Sequence, residues 1–506
     1  MKTAAILKDG MVLQRNRKNR IWGTCDAGEN ITIEFLDKKY PAEIEDGKWY
    51  VELDKAVVGG PYEMVISSDK DGEHLIKDIL VGEVWFAGGQ SNMELELKNS
   101  DNGVNVSENA DHEWIRYYNV PKYAKVDEKL SELENNSEWK CAKGVECGDM
   151  SAVAFYFARK LYEELHVPIG IIDCYWGGTS ATCWVPRERL LNVSEVSGYV
   201  KEWDDIISSK DQEQYEKEVR DFNEQFNSWI EKEAKLREEK PDITWDEIMD
   251  SIGNCPWEQP KGSGSPFRPF GLYESMVKRV VPYGIKGFIY YQAEEDRDRA
   301  DYYAKLNQAV IDQWREDFSD GEDSKLPFII TQLPMFIEKG QEDVKTFAKL
   351  REQQSYVFRN NDNIGMAVLI DCGEYDNVHP TDKETPGKRL ALQALGRVYG
   401  KIEHFDNMQV EKVNFFGDTA ILEFKNTYGE IMVRYTDNKI LTGKYEDSEV
   451  PAKIIPPEKI LGFELSGDGK NYYPACASVF GVKLKLSSDK VDHPVAVRYG
   501  FMDYGV

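Results

Sequence analysis

Glu83-Val84-Trp85-Phe86-Ala87-Gly88-Gly89-Gln90-Ser91-Asn92-Met93 is the stretch on which the fold turns. Glu83–Gly88 reads as a short buried strand, and the paired glycines at its end open a turn before a helical start. A serine on such a loosened strand-to-helix turn is exposed at the edge of a sheet, and its own N–H points toward the helix start. That suits a nucleophile whose backbone also stabilises an oxyanion. A plain helix N-cap places serine in the same spot. On this segment alone both readings of Ser91 stand.

Outward from Ser91, short apolar runs alternate with amphipathic stretches. Pro168–Cys174, Ile285–Tyr291, Pro327–Leu333 and Met366–Ile370 read as buried strands. Ala152–Leu165, Tyr273–Val281, Tyr302–Phe318, Leu350–Arg359 and Gly387–Tyr399 carry helical spacing. Strand and helix in turn predict an α/β domain over 79–400, a doubly wound parallel sheet in three flavodoxin-like layers. Ligands of such sheets sit beyond the carboxyl ends of the strands. Residues 1–78 differ: Ile31–Phe35, Lys48–Leu53 and Tyr62–Ser67, punctuated by Asp46-Gly47 and Gly59-Gly60-Pro61, predict a small β module. Alternation returns in 401–506 at Thr419–Phe424, Ile431–Tyr435, Val482–Leu486 and Val495–Tyr499, a second β module; both modules are expected to be sandwich-like. Residues 189–262 form a highly charged insertion with helical periodicity around Glu213–Glu238, either a solvated excursion or a substrate-side wall.

Three further segments leave predicted strands with chemistry-bearing residues. Trp176-Gly177-Gly178-Thr179 offers backbone that a ligand can approach closely, or a tight turn. Tyr290-Tyr291-Gln292-Ala293-Glu294-Glu295-Asp296 gathers more polar groups than a turn requires, unless it is a solvated loop. Asp371-Cys372-Gly373-Glu374-Tyr375-Asp376-Asn377-Val378-His379-Pro380 places an aspartate three residues before a histidine. Asp376 in that position can accept from the imidazole Nδ1–H, freeing the other ring nitrogen to take a proton from a serine. Of the six histidines, His74 lies in the β module and His166 suits a helix C-terminus, while His112, His404 and His493 lack comparable context. His379 is therefore the candidate base. The chain order is Ser, Asp, His.

Composition bounds the partners. The chain has 506 residues, enough for roughly three to five domains. Its 90 Asp+Glu against 63 Lys+Arg give a net charge of −27, which repels phosphate backbones and anionic lipid. Nucleic acid and membrane are excluded as expected partners; a homo-oligomer is compatible. The N-terminus has no signal-like apolar run, and eight scattered cysteines form no ligand-like pair. Reduced thiols, a cytoplasmic address and no metal or organic cofactor are expected.

With these motifs in hand, the sequence resembles the SGNH-hydrolase superfamily, and more closely the sialate O-acetylesterase family of carbohydrate esterases. The resemblance runs through Asp9-Gly10-Met11-Val12-Leu13-Gln14-Arg15, Ile21-Trp22-Gly23, Gly82–Trp85, Gly89–Glu94, Ser151–Phe155, Trp176–Thr179, Leu272-Tyr273, Ile285–Gly287, Tyr291-Gln292, Leu350–Gln353, Asp376–Pro380 and Pro494–Tyr499. The charged insertion is the main exception. The family pattern implies Ser91 as nucleophile, His379 as base and Asp376 as its orienter. It further implies oxyanion donors from the backbone of Ser91 and of Gly178 or Gly177, and a side chain of the third block. Glu294 of that block and Asn92 beside the nucleophile complete the substrate-side candidates.

One departure stands out. The family commonly has Gln-Gly-Glu-Ser-Asn where this chain has Gln292-Ala293-Glu294-Glu295-Asp296. An ionised Asp296 cannot donate to an oxyanion, so either Gln292 supplies the amide or Asp296 is structural. The substrate implied is an acetylated mono- or oligosaccharide. A sialate carboxylate would want an arginine, with Arg268, Arg297, Arg299 and Arg351 as candidates, whereas acetylated xylo- or manno-oligosaccharides need none. A lipid or thioester hydrolase on the same fold, and a non-catalytic carbohydrate-binding protein with a decayed site, are the rivals.

Overall fold

Strand β1 (Gly72–Gly89) runs without a break from the N-terminal module to the nucleophile turn. Its first half is exposed except at Ile76 and pairs antiparallel with Gly59–Ser68; from Ile79 onward every residue is buried. The boundary expected at residue 78 therefore falls inside one strand. Val12–Gln14 also lies parallel to β1, and Gln14 Oε1 accepts from Val84 N–H at 2.8 Å. The computed structural model describes every residue except 241, 242, 244, 258, 322, 323, 432–459 and 506.

The main sheet adds β2 (Asp111–Asn119), β3 (Trp139–Lys143), β4 (Ile169–Tyr175), β5 (Gly287–Tyr291), β6 (Phe328–Gln332) and β7 (Ile364–Val368). Its order is β3-β2-β4-β1-β5-β6-β7, with every neighbouring pair parallel except β3–β2. The expected parallel strands are present, but as part of a larger mixed sheet, because β3 and the N-terminal strands join the same ladder. β2 and β3 escaped the sequence reading for a physical reason. β2 opens on Asp111-His112-Glu113-Trp114 and carries Arg116, so it has no clean apolar run. Buried Arg116 is instead satisfied by the carbonyls of Gly10 at 2.8 Å and Asp78 at 2.6 Å.

Helices α1 (Ala152–Leu165), α2 (Tyr303–Asp317), α3 (Thr346–Asn360) and α4 (Glu384–Arg397) cover the sheet. Behind the carboxyl ends, Phe86, Phe288, Trp314, Phe318 and Phe328 pack edge and face, with centroids 4.9–5.8 Å apart. Such aromatic packing makes the floor under the turns rigid. The insertion forms helices Ser197–Ser209 and Gln212–Glu239, the second buried only at Tyr215 and Trp229. Among the described residues, the C-terminal region has a four-stranded sheet including Thr419–Lys425 and Lys483–Ser487, and a three-stranded one including Phe463–Ser466 and Ala496–Tyr499. Beyond Ile431, the strand expected at Ile431–Tyr435 lies outside the described residues.

Candidate active site

Ser91 opens the short helix Ser91–Glu94 at the carboxyl end of β1. Two residues earlier, Gly89 has φ +145°, and a Cβ there would lie 2.0 Å from the carbonyl oxygen of Tyr291. Only glycine lets β1 end this close to β5. Gln90 then fastens the turn: its N–H donates to Tyr291 O at 3.1 Å, and its Oε1 accepts from Glu295 N–H and the Gln292 amide, both at 3.2 Å. The nucleophile turn and the third block thus hold one another.

His379 comes from the loop after β7, and its Nε2 lies 2.7 Å from Ser91 Oγ. Internal bonds shape the loop. His379 N–H donates to Asn377 Oδ1 at 3.0 Å, Asn377 Nδ2 donates to Glu374 Oε2 at 2.7 Å, and Glu374 Oε1 accepts from Thr381 N–H at 3.0 Å. Burial lowers the imidazole pKa to about 4, helped by the charge of Lys383. The ring is therefore neutral and able to accept a proton across the neutral range. kcat/KM should stay flat from neutrality downward and reach half its plateau near pH 4; a pH–rate profile with its acid limb near the ordinary imidazole value would refute this environment.

Asn92 lies at the centre of a buried network behind the serine. Its Nδ2 donates to Glu294 Oε1 at 2.5 Å and to Val378 O at 2.9 Å, while its Oδ1 accepts from Lys383 Nζ at 2.5 Å. Val378 precedes His379, so the network ties the loop of His379 to the helix that Ser91 opens. Lys383 is 1% exposed. Burial lowers its pKa to about 8 against the raising pull of Glu294, Glu374 and Asp382. Burial raises the Glu294 carboxyl.

Comparison with known proteins bears on this site. No family model matches the chain. It is 28% identical to the sialate O-acetylesterase of Mus musculus over 473 residues, covering 86% of this chain and 80% of that protein. To the sialate O-acetylesterase of Homo sapiens it is 25% identical, covering 86% and 78%. A crystal structure of a carbohydrate acetylesterase from Xanthomonas citri superposes with a TM-score of 0.74 at 27% identity, over 99% of this chain and 94% of that one. The chain is similar to sialate O-acetylesterases along most of its length. It is an esterase.

Other predicted residues take varied places in this esterase. Asp376, at φ +57°, accepts from Lys339 N–H at 2.7 Å, while among the described residues the ring of His379 hydrogen-bonds to Ser91 alone. The structure thus brings Ser91 and His379 together, and among the described residues no hydrogen bond joins Asp376 to the ring. Asp296 is fully buried and accepts from Ser180 Oγ at 2.6 Å, Ala181 N–H at 2.8 Å and Gln292 Nε2 at 2.7 Å. It holds the loop after Gly178 and turns the Gln292 amide toward itself. Gly177 lies against Ser91, since a Cβ on it would meet Ser91 Cβ at 3.3 Å, and its N–H donates to Glu94 Oε2.

The four arginines are occupied by their own chain. Arg351 is buried and donates to the carbonyls of Gly500 and Met502, anchoring the C-terminal tail. Arg268 pairs with Glu274 and Arg297 with Glu338, both at 3.1 Å. Arg299 stacks 4.3 Å over Tyr199, its Nη1 3.6 Å from Asp296 Oδ1. Sequence reasoning missed Gln90, Glu94 and Lys383 as functional side chains. Gln90 and Glu94 lie inside the nucleophile block and were within reach; Lys383 reads as a surface lysine. Among the described residues, no group of three or more His, Cys, Asp or Glu side chains is arranged to hold a metal ion.

Proposed function

We propose that this esterase removes acetyl groups from sugar hydroxyls through an acyl-serine intermediate with an SGNH-type constellation. Ser91 Oγ attacks the acetyl carbonyl as His379 Nε2 takes its proton. The tetrahedral oxyanion rests on backbone N–H groups, and collapse expels the sugar oxygen, which receives the proton from His379. Water activated by the same imidazole then releases acetate. The observation that carries this reading is the 2.7 Å contact between Nε2 and Oγ at the carboxyl end of β1. The N–H groups of Ser91 and Gly178 have no backbone or side-chain acceptor among the described residues, which supports them as oxyanion donors. Gln292 and Asp296 serve as supports for that loop.

Asp376 is the proposed orienter. It shares the loop of His379, and catalytic hydrogen bonds in unliganded enzymes are often completed only with substrate. Loss of the carboxylate in such a triad costs about 10⁴ in kcat. Asp376→Asn is therefore expected to lose about 10³–10⁴-fold in kcat with an unchanged fold; a loss under tenfold would leave a Ser–His dyad and give Asp376 a loop-bracing role.

Sialate is the substrate that the similarity to sialate O-acetylesterases suggests, and acetylated xylo- or manno-oligosaccharides are the second reading, favoured by the engagement of the four arginines with their own chain. Acetate release from 9-O-acetyl sialic acid and from both oligosaccharide classes tests the assignment. Release from one class supports it; release from none by folded protein would favour a decayed binding site.

A further inference from the structure

The charged insertion puts one large apolar side chain at the mouth of this site. Trp257 is 52% exposed, yet its ring packs against two neighbours. Its six-membered ring lies directly over Gly178, close enough that a Cβ on that glycine would fall 2.3 Å from the ring and 3.2 Å from Phe267. Gly178 has φ +69°, so the backbone there needs glycine on conformational grounds too. Phe267 supports the indole, with centroids 6.2 Å apart at 46°. Pro256 and Pro260 flank the segment and restrict its backbone. The segment that follows is docked as well: Gly262 packs on the buried Tyr215 of the long insertion helix.

What sets Trp257 apart from other exposed apolar side chains is its place: half its surface is bare one residue from the glycine that lies against Ser91. A pyranose ring has a face of C–H groups that matches an aromatic plane, and that contact needs no charge in a chain of net −27. We infer that Trp257 is a specificity-determining platform, contributed by the insertion, on which the sugar ring of the leaving group stacks. The inference rests on the proposed carbohydrate esterase function. The insertion thereby acts as a wall of the site. It selects for sugar esters over small acyclic acetates, which have no ring to cover the indole.

The test compares wild type, Trp257→Ala and Trp257→Phe on vinyl acetate and on the acetylated sugars above, with circular dichroism as the check on folding. Trp257→Ala should raise KM for the sugar ester about tenfold more than for vinyl acetate, with kcat changed far less. Trp257→Phe, which keeps an aromatic face, should recover most of the difference. Equal effects on both substrates, or no recovery by phenylalanine, would overturn the platform. The parent reading fails separately, on wild type, if no acetylated sugar is hydrolysed while vinyl acetate is. In that case titration of Ser91→Ala by intrinsic fluorescence with the same sugars still decides. Quenching that Trp257→Phe removes supports the platform, and its absence overturns it.

Discussion

Ser91→Ala is expected to lower kcat for acetyl ester hydrolysis by about 10⁴–10⁶-fold while leaving the fold intact. The side chain lost is one hydroxyl, half-buried, whose hydrogen bond runs to His379 Nε2. Nothing in the core leans on it, so the change in unfolding free energy should stay within about 1 kcal/mol. The residual rate comes from the backbone donors and substrate binding, which survive the substitution. His379→Ala should cost about as much, and the double variant little more than either single one, because in the proposed mechanism the two side chains act as a unit. Burst kinetics on an activated acetate ester and mass spectrometry of the acylated chain report the intermediate directly. An alanine variant retaining more than a hundredth of wild-type kcat, or an acetyl adduct on another residue, would remove Ser91 from the mechanism.

What could be read in advance follows how local the physics is. The run Glu83–Phe86 ahead of Gly88-Gly89 specifies a buried strand ending in a special turn within a few residues, and the structure ends β1 there. The 28-residue helix Gln212–Glu239 was likewise visible as periodicity around Glu213–Glu238. β2 was hidden because its polarity is compensated at a distance: Arg116 finds its acceptors in Gly10 and Asp78, and no window of sequence contains both sides of that arrangement. The pair of Ser91 and His379 was legible because each residue has a local context at a strand's exit. The support behind them was not, since Asn92, Glu294 and Lys383 come from three separate blocks. Asp296 illustrates the same limit. An acidic residue in a polar cluster looks substrate-facing until Ser180, Ala181 and Gln292 are seen to fill its oxygens.

That hidden support makes the second strong prediction. Lys383→Met removes the cation that holds Asn92 Oδ1 at 2.5 Å, in a place that is 1% exposed. Methionine fits the volume but leaves Glu294 buried beside Asn92 with its charge unopposed. Removing one partner of a buried charged arrangement costs about 3–5 kcal/mol, and chemical denaturation should show a loss of about that size at neutral pH. The sign of its pH dependence follows from Glu294. Burial already holds that carboxyl above its ordinary value, and Lys383 works against this by lowering it. Without the lysine, the folded-state value rises further. The folded state then binds a proton that the unfolded chain has released, so the variant loses stability as pH rises from the unfolded carboxylate value through the folded one. Its deficit should shrink in mild acid, and Lys383→Met with Glu294→Gln should recover most of it. Catalysis supplies an independent readout. The Lys383 charge is the second cause, after burial, of the low imidazole value of His379, so the acid limb of kcat/KM should move upward from about pH 4 in the variant. A variant that keeps both its stability and its acid limb would show that Asn92 and the catalytic loop are held by other contacts.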